Sequence, residues 1–505
     1  MEQVAQNCSA EINRDSQMNN QGYDRPAGDI TTLLDLTPRD FQDNEYTPLS
    51  SESTWWLPQH NRRIHPFSLT VQEFQFRGPT SFGQRFTFDI GSVSAGDLLF
   101  STMIQIELGH WLNDTALLRL EAGTATYNNE DTNHDAWFYA NSLGSVIIER
   151  ADLEISDQTI ETVDGDFLNV ASLLMLDLNN QYGIAVDGLG RMPLSTLLKT
   201  PASRPFPTQT NTLLIPLPFF FQRVKLQEAL PLLACRDGTV RVHVTLRPFE
   251  ECVRLLKGRR TSLTQSPLSQ EIQLFANNSP PLTLQTPIAP PLFKKIQLIT
   301  YSANTDGLIR QRILRSPFEV LTRISQTFHF SEPLKYLVNK NANDSIQVQL
   351  PLEVNHPMEE IIWFVRRKAT ANNNEWTNYS AVTTPEYDAT FNPFRPLLQN
   401  AVIQLNGIEL IHQEEQWFRQ HIALAHKGGA AAYDSFVYGY SFAKNPAEHQ
   451  PSGTANASRL QTIRLTLDIR PPGGIYEQDW EVKVFVVTLQ WLRFQNGLAN
   501  KMYTD

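Results

Sequence analysis

The stretch ADLEISDQTIETVDGDFLNVA, residues 151–171, has the pattern of two short strands, a tight turn between them and a helix after them. Apolar and polar residues alternate on both sides of Ser156-Asp157, as they do in strands with one buried face. A helical pattern follows and extends over about 165–177. A second copy of this unit elsewhere in the chain would indicate a duplicated domain.

Such a copy occurs 250 positions later. The stretch AVIQLNGIELIHQEEQWFRQH, residues 401–421, again has two strand patterns, a two-residue turn (Asn406-Gly407) and a helical pattern. Each predicted helix has an aromatic residue at the same place, Phe167 in the first copy and Trp417 in the second. An Asn-Gly pair between alternating runs is a strong hairpin signal. The two stretches are therefore predicted to be equivalent.

Two further pairs of segments repeat in the same order. TVRVHVTLR (239–247) matches TIRLTLDIR (462–470), and LITYSANTDGL (298–308) loosely matches TLQWLRFQNGL (488–498). One such match between all-β segments arises by chance about as often as not. Three matches in one order favour duplication. The number of residues that separates a segment from its match decreases along the chain, because the first copy carries a longer stretch rich in Pro, Ser and Asn before residue 298.

Strand patterns dominate the rest of the chain, and besides 165–177 the clearest helical pattern is at about 412–427. Many short strands punctuated by Gly, Pro, Asn and Asp are typical of an all-β sandwich or barrel. Each copy has about 200–240 residues, which is enough for one sandwich to close its own core. We predict two tandem domains, 66–305 and 306–505, after an N-terminal extension, 1–65.

The composition indicates a chain that folds and stays dispersed. It is 41% hydrophobic and 19% charged, with a net charge of −11. That charge argues against a protein whose main task is to bind nucleic acid. The cysteines, Cys8, Cys235 and Cys252, are too few and too scattered for a disulfide framework, so we expect a reducing compartment. The longest apolar run, 213–221, is far short of a membrane span, and we expect a soluble protein.

The stretch NPAEHQPSGTANASR, residues 445–459, lies between two strand patterns. A hairpin needs only two to five residues to turn, so this longer stretch is predicted to cross from one sheet to the other. Pro446 and Pro451 fix φ, and Gly453 permits a backbone conformation that other residues avoid. In the first copy, EALPLLACRDG (228–238) is predicted to occupy the corresponding place.

The same stretch resembles the C-terminal signature of the major capsid proteins of large eukaryotic DNA viruses. In that signature a strand ending in YSF leads into P-E-x-Q-P-S-G-T-x-N-x-S-R. The matching residues here are Pro446, Glu448, Gln450, Pro451, Ser452, Gly453, Thr454, Asn456, Ser458 and Arg459. Three further blocks are similar to family segments, namely 213–246, 351–367 and 401–410. The resemblance covers most of 66–505, and the long N-terminal extension resembles a divergent branch of the family.

The resemblance implies a double jelly roll, that is, two tandem eight-stranded sandwiches with few short helices. It implies a structural protein of the virion, assembled in the host cytoplasm, whose homotrimers have a pseudo-hexameric outline and tile an icosahedral shell. The implied partners are neighbouring capsomers and minor capsid and penton proteins, with an internal membrane as a further candidate neighbour. No direct binding of nucleic acid is expected. The long connections 109–136, 176–209 and 368–396 are predicted to build the outer face.

The extension contains an aromatic segment, STWWLPQHNRRIHP at 53–66. Two adjacent tryptophans on an otherwise polar arm usually dock against another surface. The chain's own first domain and a neighbouring molecule are equally good candidates for that surface. In the family that the sequence resembles, the arm lies at the inner base of the capsomer. Trp55 and Trp56 are therefore candidate assembly anchors.

No catalytic constellation stands out in the sequence. His412, His421 and His426 fall on the second predicted helix, but their spacings are not those of a metal-ligand pair. The paired carboxylates Glu359-Glu360 are predicted to lie on a solvated face rather than to form an acid–base couple. We expect no enzymatic activity, no metal and no cofactor.

Two other functions fit parts of the pattern. A double jelly-roll scaffold protein, which shapes an immature virion and is then discarded, would have the same fold. A tandem β-sandwich that binds glycans or acts on them belongs to a different class. Glycan sites need Trp and Tyr clustered with carboxylates on one face, whereas the nine tryptophans here are spread from Trp55 to Trp491. The sequence favours the main building block of the shell.

Overall fold

Antiparallel β-sheet makes up most of the part of the chain that the structure describes. The structure is a computed structural model, and it describes residues 66–76, 78, 80–91, 95–109, 136–175, 188–191, 211–223, 229–257, 262–264, 292–332, 346–372, 374–383, 394–426, 435–446, 448–470 and 480–503. The candidate anchors Trp55 and Trp56 lie outside these residues.

The strands before residue 306 are β1 (Phe67–Gln75), β2 (Arg85–Asp89), β3 (Leu98–Glu107), β4 (Ala136–Tyr139), β5 (Ile148–Ile155), β6 (Gln158–Asp164), β7 (Thr212–Pro216), β8 (Val240–Leu246), β9 (Val253–Lys257), β10 (Ser262–Thr264) and β11 (Lys295–Thr305). The helices between them are α1 (Leu143–Val146), α2 (Gly165–Leu174), α3 (Phe220–Arg223), α4 (Phe249–Cys252) and a 3₁₀ helix (Leu232–Cys235).

The strands after residue 306 are β12 (Phe318–Glu332), β13 (Ile346–Leu352), β14 (Pro357–Arg367), β15 (Leu398–Leu405), β16 (Ile408–Glu414), β17 (Val437–Ser441), β18 (Ala455–Asn456), β19 (Ile463–Ile469), β20 (Trp480–Gln495) and β21 (Leu498–Lys501). The helices of this half are α5 (Gly307–Arg315), α6 (Lys368–Asn372), α7 (Glu415–Ala425) and a 3₁₀ helix (Ala457–Arg459).

Both halves have the same sheet topology. In the first half the two main sheets have the strand orders β1-β11-β3-β7 and β2-β8-β5-β6, and in the second half the orders are β12-β20-β14-β17 and β13-β19-β15-β16. The first strand of each half lies in one sheet and the second in the other, and the last main strand returns to pair with the first, as in a jelly roll. The predicted double jelly roll is confirmed. We call β1–β11 the first jelly roll and β12–β21 the second.

The core lies between the two sheets of each jelly roll. In the first jelly roll the ring of Phe86, on β2, contacts the ring of Phe76, just after β1, with centroids 4.9 Å apart. The side chains of β8 and β19 alternate between buried and more exposed positions over most of their length. This alternation is the period of two that their sequences predict.

The duplication is visible at single hydrogen bonds. The units β5–β6–α2 and β15–β16–α7 are both hairpins followed by a helix, as predicted. The Ser156 N–H donates to the Thr239 carbonyl oxygen at 2.8 Å, and the Asn406 N–H donates to the Thr462 carbonyl oxygen at 2.8 Å. All four turn residues have positive φ, between 51° and 78°, as a two-residue type I′ turn requires. The same hydrogen bond thus joins segment 151–171 to segment 239–247 in the first copy and segment 401–421 to segment 462–470 in the second.

The second helix begins later than predicted. β16 continues to Glu414, because Asn400 and Val402 on β15 pair with Glu414 and His412. His412 therefore lies on a strand, and only His421 and His426 belong to α7 and its C-terminal cap. Strand pairing overrides the helical pattern over these residues.

The connection between the two jelly rolls is a helix that the sequence patterns did not predict. The Asp306 carboxylate caps α5 by accepting from the Ile309 N–H at 3.1 Å. None of the side chains of α5 is buried, and Leu308 is 73% exposed. A short helix without a buried face has no clear apolar stripe, and this is the reason its pattern was not recognised.

The long connections 109–136 and 176–209 lie largely outside the described residues, whereas most of 368–396 is described. Two contacts link the described residues beside these connections. Glu107, at the end of β3, pairs with Thr212, at the start of β7. Asp166, just after β6, contacts Arg366, at the end of β14. The start of 109–136 and the end of 176–209 therefore lie side by side, and so do α2 and the end of β14, which precede 176–209 and 368–396.

Candidate functional site

Residues 445–459, which we call the crossing loop, connect the two sheets of the second jelly roll. The loop begins after β17 in one sheet and ends before β19 in the other, so the predicted crossing is confirmed. Within the loop, β18 pairs with the start of β14, with Ala455 opposite Met358. The loop is therefore fixed to the sheet that it leaves before it reaches the other one.

The corresponding loop of the first jelly roll makes the same contact. Residues 228–238 lie between β7 and β8, as predicted. Leu230 forms an isolated bridge with Leu99, the second residue of β3, and the two backbone hydrogen bonds are 2.8 and 2.7 Å long. Met358 is likewise the second residue of β14. Leu99 and Met358 thus occupy equivalent positions.

The crossing loop depends on a glycine at one position. Gly453 has φ of 155°, and a Cβ placed on it would lie 2.5 Å from the Phe442 carbonyl oxygen. Any other residue would therefore displace the backbone. The Ser452 Oγ accepts from the Asn445 N–H at 2.8 Å and closes the loop on itself. Pro446 is buried.

The other predicted loop residues lie nearer to solvent. Pro451 is half-buried, and the exposed ones are Gln450, Asn456 and Arg459. Asn456 lies on β18 opposite Pro357, and Arg459 ends a 3₁₀ helix. The structure brings these residues into one loop, and their individual roles stay predictions.

A buried arginine holds the crossing loop from beneath. The Arg323 guanidinium donates to both oxygens of Glu359, at 2.6 and 3.2 Å. It also donates to the carbonyl oxygens of Glu448, at 2.7 Å, and His449, at 3.3 Å. Arg323 and Glu359 are 3% and 0% exposed. A buried charge is tolerated only when it is paired and hydrogen-bonded, and here two strands and the loop supply the partners.

The prediction that Glu359 and Glu360 lie on a solvated face is wrong. Both are buried, because β14 is covered on its two faces. The Glu360 carboxylate lies 2.7 Å from Nε2 of His426, at the C-terminal end of α7. Burial alone lowers the pKa of His426, but the charge and hydrogen bond of Glu360 outweigh it and raise the pKa above its ordinary value.

A second buried charge cluster joins the two jelly rolls. Asp166, on α2, contacts Arg366 at the end of β14 at 2.8 Å and also contacts Lys483 on β20. Lys483 further contacts Asp164 at 2.9 Å. Burial by itself raises the pKa of Asp166, but Arg366 and Lys483 hold it well below its usual range. We call these four residues the inter-roll cluster.

Glu481 extends the inter-roll cluster on the side of the second jelly roll. Its carboxylate contacts Arg366 and lies 3.0 Å from Nε2 of His329. Although burial raises the pKa of Glu481, the hydrogen bond from His329 and the charge of Arg366 lower it to about 2. Arg366 is thereby shared by a carboxylate from each jelly roll.

Apolar and neutral polar contacts surround the inter-roll cluster. The rings of Phe167, on α2, and Phe485, on β20, lie 5.2 Å apart. Asn169 donates to the Tyr379 hydroxyl at 2.9 Å. The Trp376 indole donates to the Glu251 carbonyl oxygen at 2.9 Å. The contact between the jelly rolls therefore combines a packed interior with fixed polar pairs.

Among the described residues, no group of three or more His, Cys, Asp or Glu side chains is placed to hold a metal ion. Within the same ranges, no helix is long and apolar enough to cross a membrane. Cys235 and Cys252 are free thiols, and burial raises the pKa of both, that of Cys235 to about 12. Such thiols are poor nucleophiles.

Two family models match this chain on either side of the connection between the jelly rolls. The model for the large eukaryotic DNA virus major capsid protein matches residues 319–500. The model for the major capsid protein N-terminus matches residues 54–280. The chain belongs to the major capsid proteins of large eukaryotic DNA viruses. The resemblance carried by the crossing loop is confirmed, and so is the structural function of a major capsid protein.

Two relatives of this capsid protein are distant in sequence but cover most of the chain. The major capsid protein of Phaeocystis pouchetii virus is 24% identical over 94% of this chain and 99% of its own length. The major capsid protein of Pyramimonas orientalis virus is 25% identical over 88% of this chain and 92% of its own length. The crystal structure of PBCV-1 VP54 is 17% identical, covers 90% of this chain and 100% of its own, and has a TM-score of 0.62. At that identity the likeness concerns the fold alone.

The buried charges of this capsid protein were missed by sequence reasoning. Arg323 and Arg366 are cations inside strand patterns rich in apolar residues, VLTRISQ and IIWFVRR. A charge at such a position signals a buried partner, because a strand covered on both faces cannot leave it solvated. The partners of Arg366 could not be named, because one of them lies 200 residues away.

We predict that Arg323→Met destabilises the fold by about 3–5 kcal/mol, because it leaves Glu359 as an unpaired buried charge. The double variant Arg323→Met, Glu359→Leu should regain most of that loss. Urea unfolding of the three proteins provides the measurement. As a control, Arg464→Met, at an exposed position of the same jelly roll, should change the free energy by less than about 0.5 kcal/mol. Equal losses in the single and double variants would contradict the pairing.

We predict that acid weakens the inter-roll cluster. The folded-state pKa values of Asp166 and Glu481 lie below their ordinary values of 3.8 and 4.5. The cluster therefore stabilises the fold above those values, and this contribution is lost as the pH falls toward 2. Unfolding free energies measured from neutral pH down to about pH 2 should decline less steeply in Asp166→Asn than in the native protein.

The control for the acid experiment is Asp237→Asn, which alters an exposed ion pair with Arg236. Exposed pairs contribute little, so this variant should follow the native pH profile. Parallel profiles for the native protein and Asp166→Asn would show that the cluster is not the acid-sensitive element.

Proposed function

We propose that this major capsid protein forms a homotrimer of pseudo-hexameric outline that tiles an icosahedral shell. The observation that carries the proposal is the buried contact between the two jelly rolls. A chain in which two similar sandwiches are held in one fixed arrangement acts as a single block, and three such blocks around an axis present six similar sandwiches. Neighbouring capsomers and minor capsid and penton proteins are the partners that such a block would meet.

Static light scattering of the purified protein tests the trimer. The expected mass is about 172 kDa, three times the chain mass of 57.5 kDa. A monomer at every concentration measured would contradict the proposal. A glycan-binding protein or glycan-active enzyme on the same fold would have no need to trimerise, so a monomer would favour that alternative.

A transient scaffold protein is the second candidate, because it would share the fold and the trimer. The two functions differ in what remains after maturation. A shell protein is retained in purified mature particles in stoichiometric amounts, whereas a scaffold is lost. We propose that this protein is retained as a shell protein. We also propose that it has no enzymatic activity and is assembled in the host cytoplasm. The support for these proposals is the family to which the chain belongs.

We further propose the domain boundaries 66–305 and 306–505, with 1–65 as an assembly arm. Two observations on the described residues support the division: β-pairing there does not cross residue 306, and α5 lies between the two sets of sheets. The arm is assigned to the inner base of the capsomer, where an internal membrane would also lie. The outer ends of 109–136, 176–209 and 368–396 are assigned to the opposite, exterior face.

We predict that deletion of residues 1–50 leaves soluble trimers that assemble poorly. Burial of Trp55 and Trp56 would contribute about 2–5 kcal/mol, which biases an interface but does not fold a domain. Light scattering reports the trimer, and electron microscopy reports shell assembly. The variant Trp55→Ala, Trp56→Ala in the full chain should reproduce part of the assembly defect. A truncated protein that fails to trimerise would place the arm in the trimer core instead.

A further inference from the structure

The duplicated helices α2 and α7 differ sharply in burial. In α2 all ten residues are buried. In α7, which has eleven residues, only Phe418 and Ile422 are buried, and Leu424 is 77% exposed. The strands before the helices differ in the same way, since β6 is largely covered and β16 is almost fully exposed. The same unit is thus covered in the first jelly roll and open in the second.

The second jelly roll supplies part of the cover of α2, and Arg191 of the first jelly roll, which donates to Asn169 at 2.6 Å, supplies another part. Asp166 and Phe167 of α2 contact Arg366 and Phe485 on the outer face of the sheet β12-β20-β14-β17, and β6 lies against β12. As a consequence β14 is buried at every residue except Pro357. A hairpin–helix unit of one jelly roll therefore fits the outer face of a sheet that contains the first and last main strands of another jelly roll.

The equivalent sheet of the first jelly roll exposes apolar side chains on its outer face, although Gln297 in its centre is fully buried. Large apolar side chains are exposed along β1, with Phe67 at 53%, Leu69 at 61% and Val71 at 53%, and Leu214 on β7 is 40% exposed. The open unit of the second jelly roll is also apolar, with Ile408 on β16 at 73%. The exposed apolar row on β1, formed by Phe67, Leu69 and Val71, marks an interaction site.

We propose that the β15–β16–α7 unit of one copy packs on the outer face of the sheet β1-β11-β3-β7 of a second copy, as β5–β6–α2 packs on the second jelly roll within the chain. The partner is this same chain, because the chain already contains the fitted pair of surfaces. The contact is head-to-tail, and repetition of such a contact closes a ring when the rotation allows it. The inference rests on the proposed homotrimer and specifies which surfaces form it.

The duplication also indicates which residues face each other across this contact. Asp166 and Gln416 are both the second residue of their helices. Leu99 on β3 and Met358 on β14 occupy equivalent positions. Eight residues after Leu99, Glu107 pairs with Lys295, and eight residues after Met358, Arg366 pairs with Glu481. Gln416 of one copy should therefore face Glu107 of the next, at the place where Asp166 faces Arg366 within the chain.

The contact between copies lacks the buried ion pair of the contact within the chain. An amide and a carboxylate stand where the chain has a carboxylate and a guanidinium. The apolar side chains of β1, β16 and α7 would carry most of the binding, and a charge-assisted pair would be missing. The pair can be introduced at this place to test the geometry.

The first test is chemical cross-linking of the full chain carrying Gln416→Cys and Glu107→Cys. Gln416 is exposed and the side chain of Glu107 is 39% exposed, so neither substitution disturbs the core. A short bismaleimide should convert the protein to covalent dimers and a covalent trimer as the largest closed species. The matched control combines Gln416→Cys with Leu308→Cys, which lies on α5 outside both surfaces. This variant should show only the cross-linking that the native cysteines give.

The second test transfers the ion pair. Gln416→Asp alone brings a second carboxylate to Glu107, which already contacts Lys294 at 3.6 Å, and without a guanidinium at position 107 it should not tighten the trimer. Gln416→Asp with Glu107→Arg recreates the internal pair and should lower the dissociation constant about tenfold or more relative to the native chain. Dilution series followed by light scattering measure both effects.

The outcomes separate this inference from the proposed function. A native trimer that neither cross-links through Gln416 and Glu107 nor responds to the transferred pair would overturn the assigned surfaces and leave the trimer standing. A native protein that remains monomeric would overturn the proposed function itself. Cross-linking together with a tighter double variant supports the head-to-tail contact.

Discussion

The arrangement of the two jelly rolls depends on the buried pair of Asp166 and Arg366. Each of these charges is almost fully removed from water, and neither could remain there without the other. Lys483 and Glu481 complete the hydrogen bonding on the two sides of the pair. Apolar packing between two smooth sheets would allow several registers. A charge pair that must meet within hydrogen-bonding distance allows one, and in this chain it fixes the relative position of the sandwiches.

The position of Asp166 depends in turn on the residue before it. A Cβ on Gly165 would lie 2.3 Å from the Ser145 carbonyl oxygen and 2.4 Å from that of Ile148. Only glycine lets the first turn of α2 approach the chain around β5 so closely. The Asp164 side chain then caps the helix by accepting from the Phe167 N–H at 2.7 Å. Three consecutive residues thus start the helix, cap it and deliver the charge that docks the second jelly roll.

Local features of the sequence were sufficient for the hairpins and for the duplication, but not for α5, the start of α7 or the buried charges. The hairpins around Ser156-Asp157 and Asn406-Gly407 could be predicted because turn chemistry and alternation act over a few residues. The jelly-roll fold was implied by the resemblance and not by local patterns, since pairing partners such as β1 and β11 are separated by most of a domain. Glu359 was assigned to solvent because its partner Arg323 lies 36 residues earlier, on a strand two places away in the sheet.

The two copies of the duplicated unit have come to differ in the way that a shell subunit requires. The contact within the chain cannot dissociate, and it can tolerate a buried ion pair whose main effect is to fix one geometry. The contact between copies must form by mass action and must also permit correction during assembly, so its strength depends on concentration. Gln416 and Glu107, at the places of Asp166 and Arg366, give that second contact the same shape without the charge pair. The same surface can therefore serve as a permanent joint in one copy and as a reversible joint in the other.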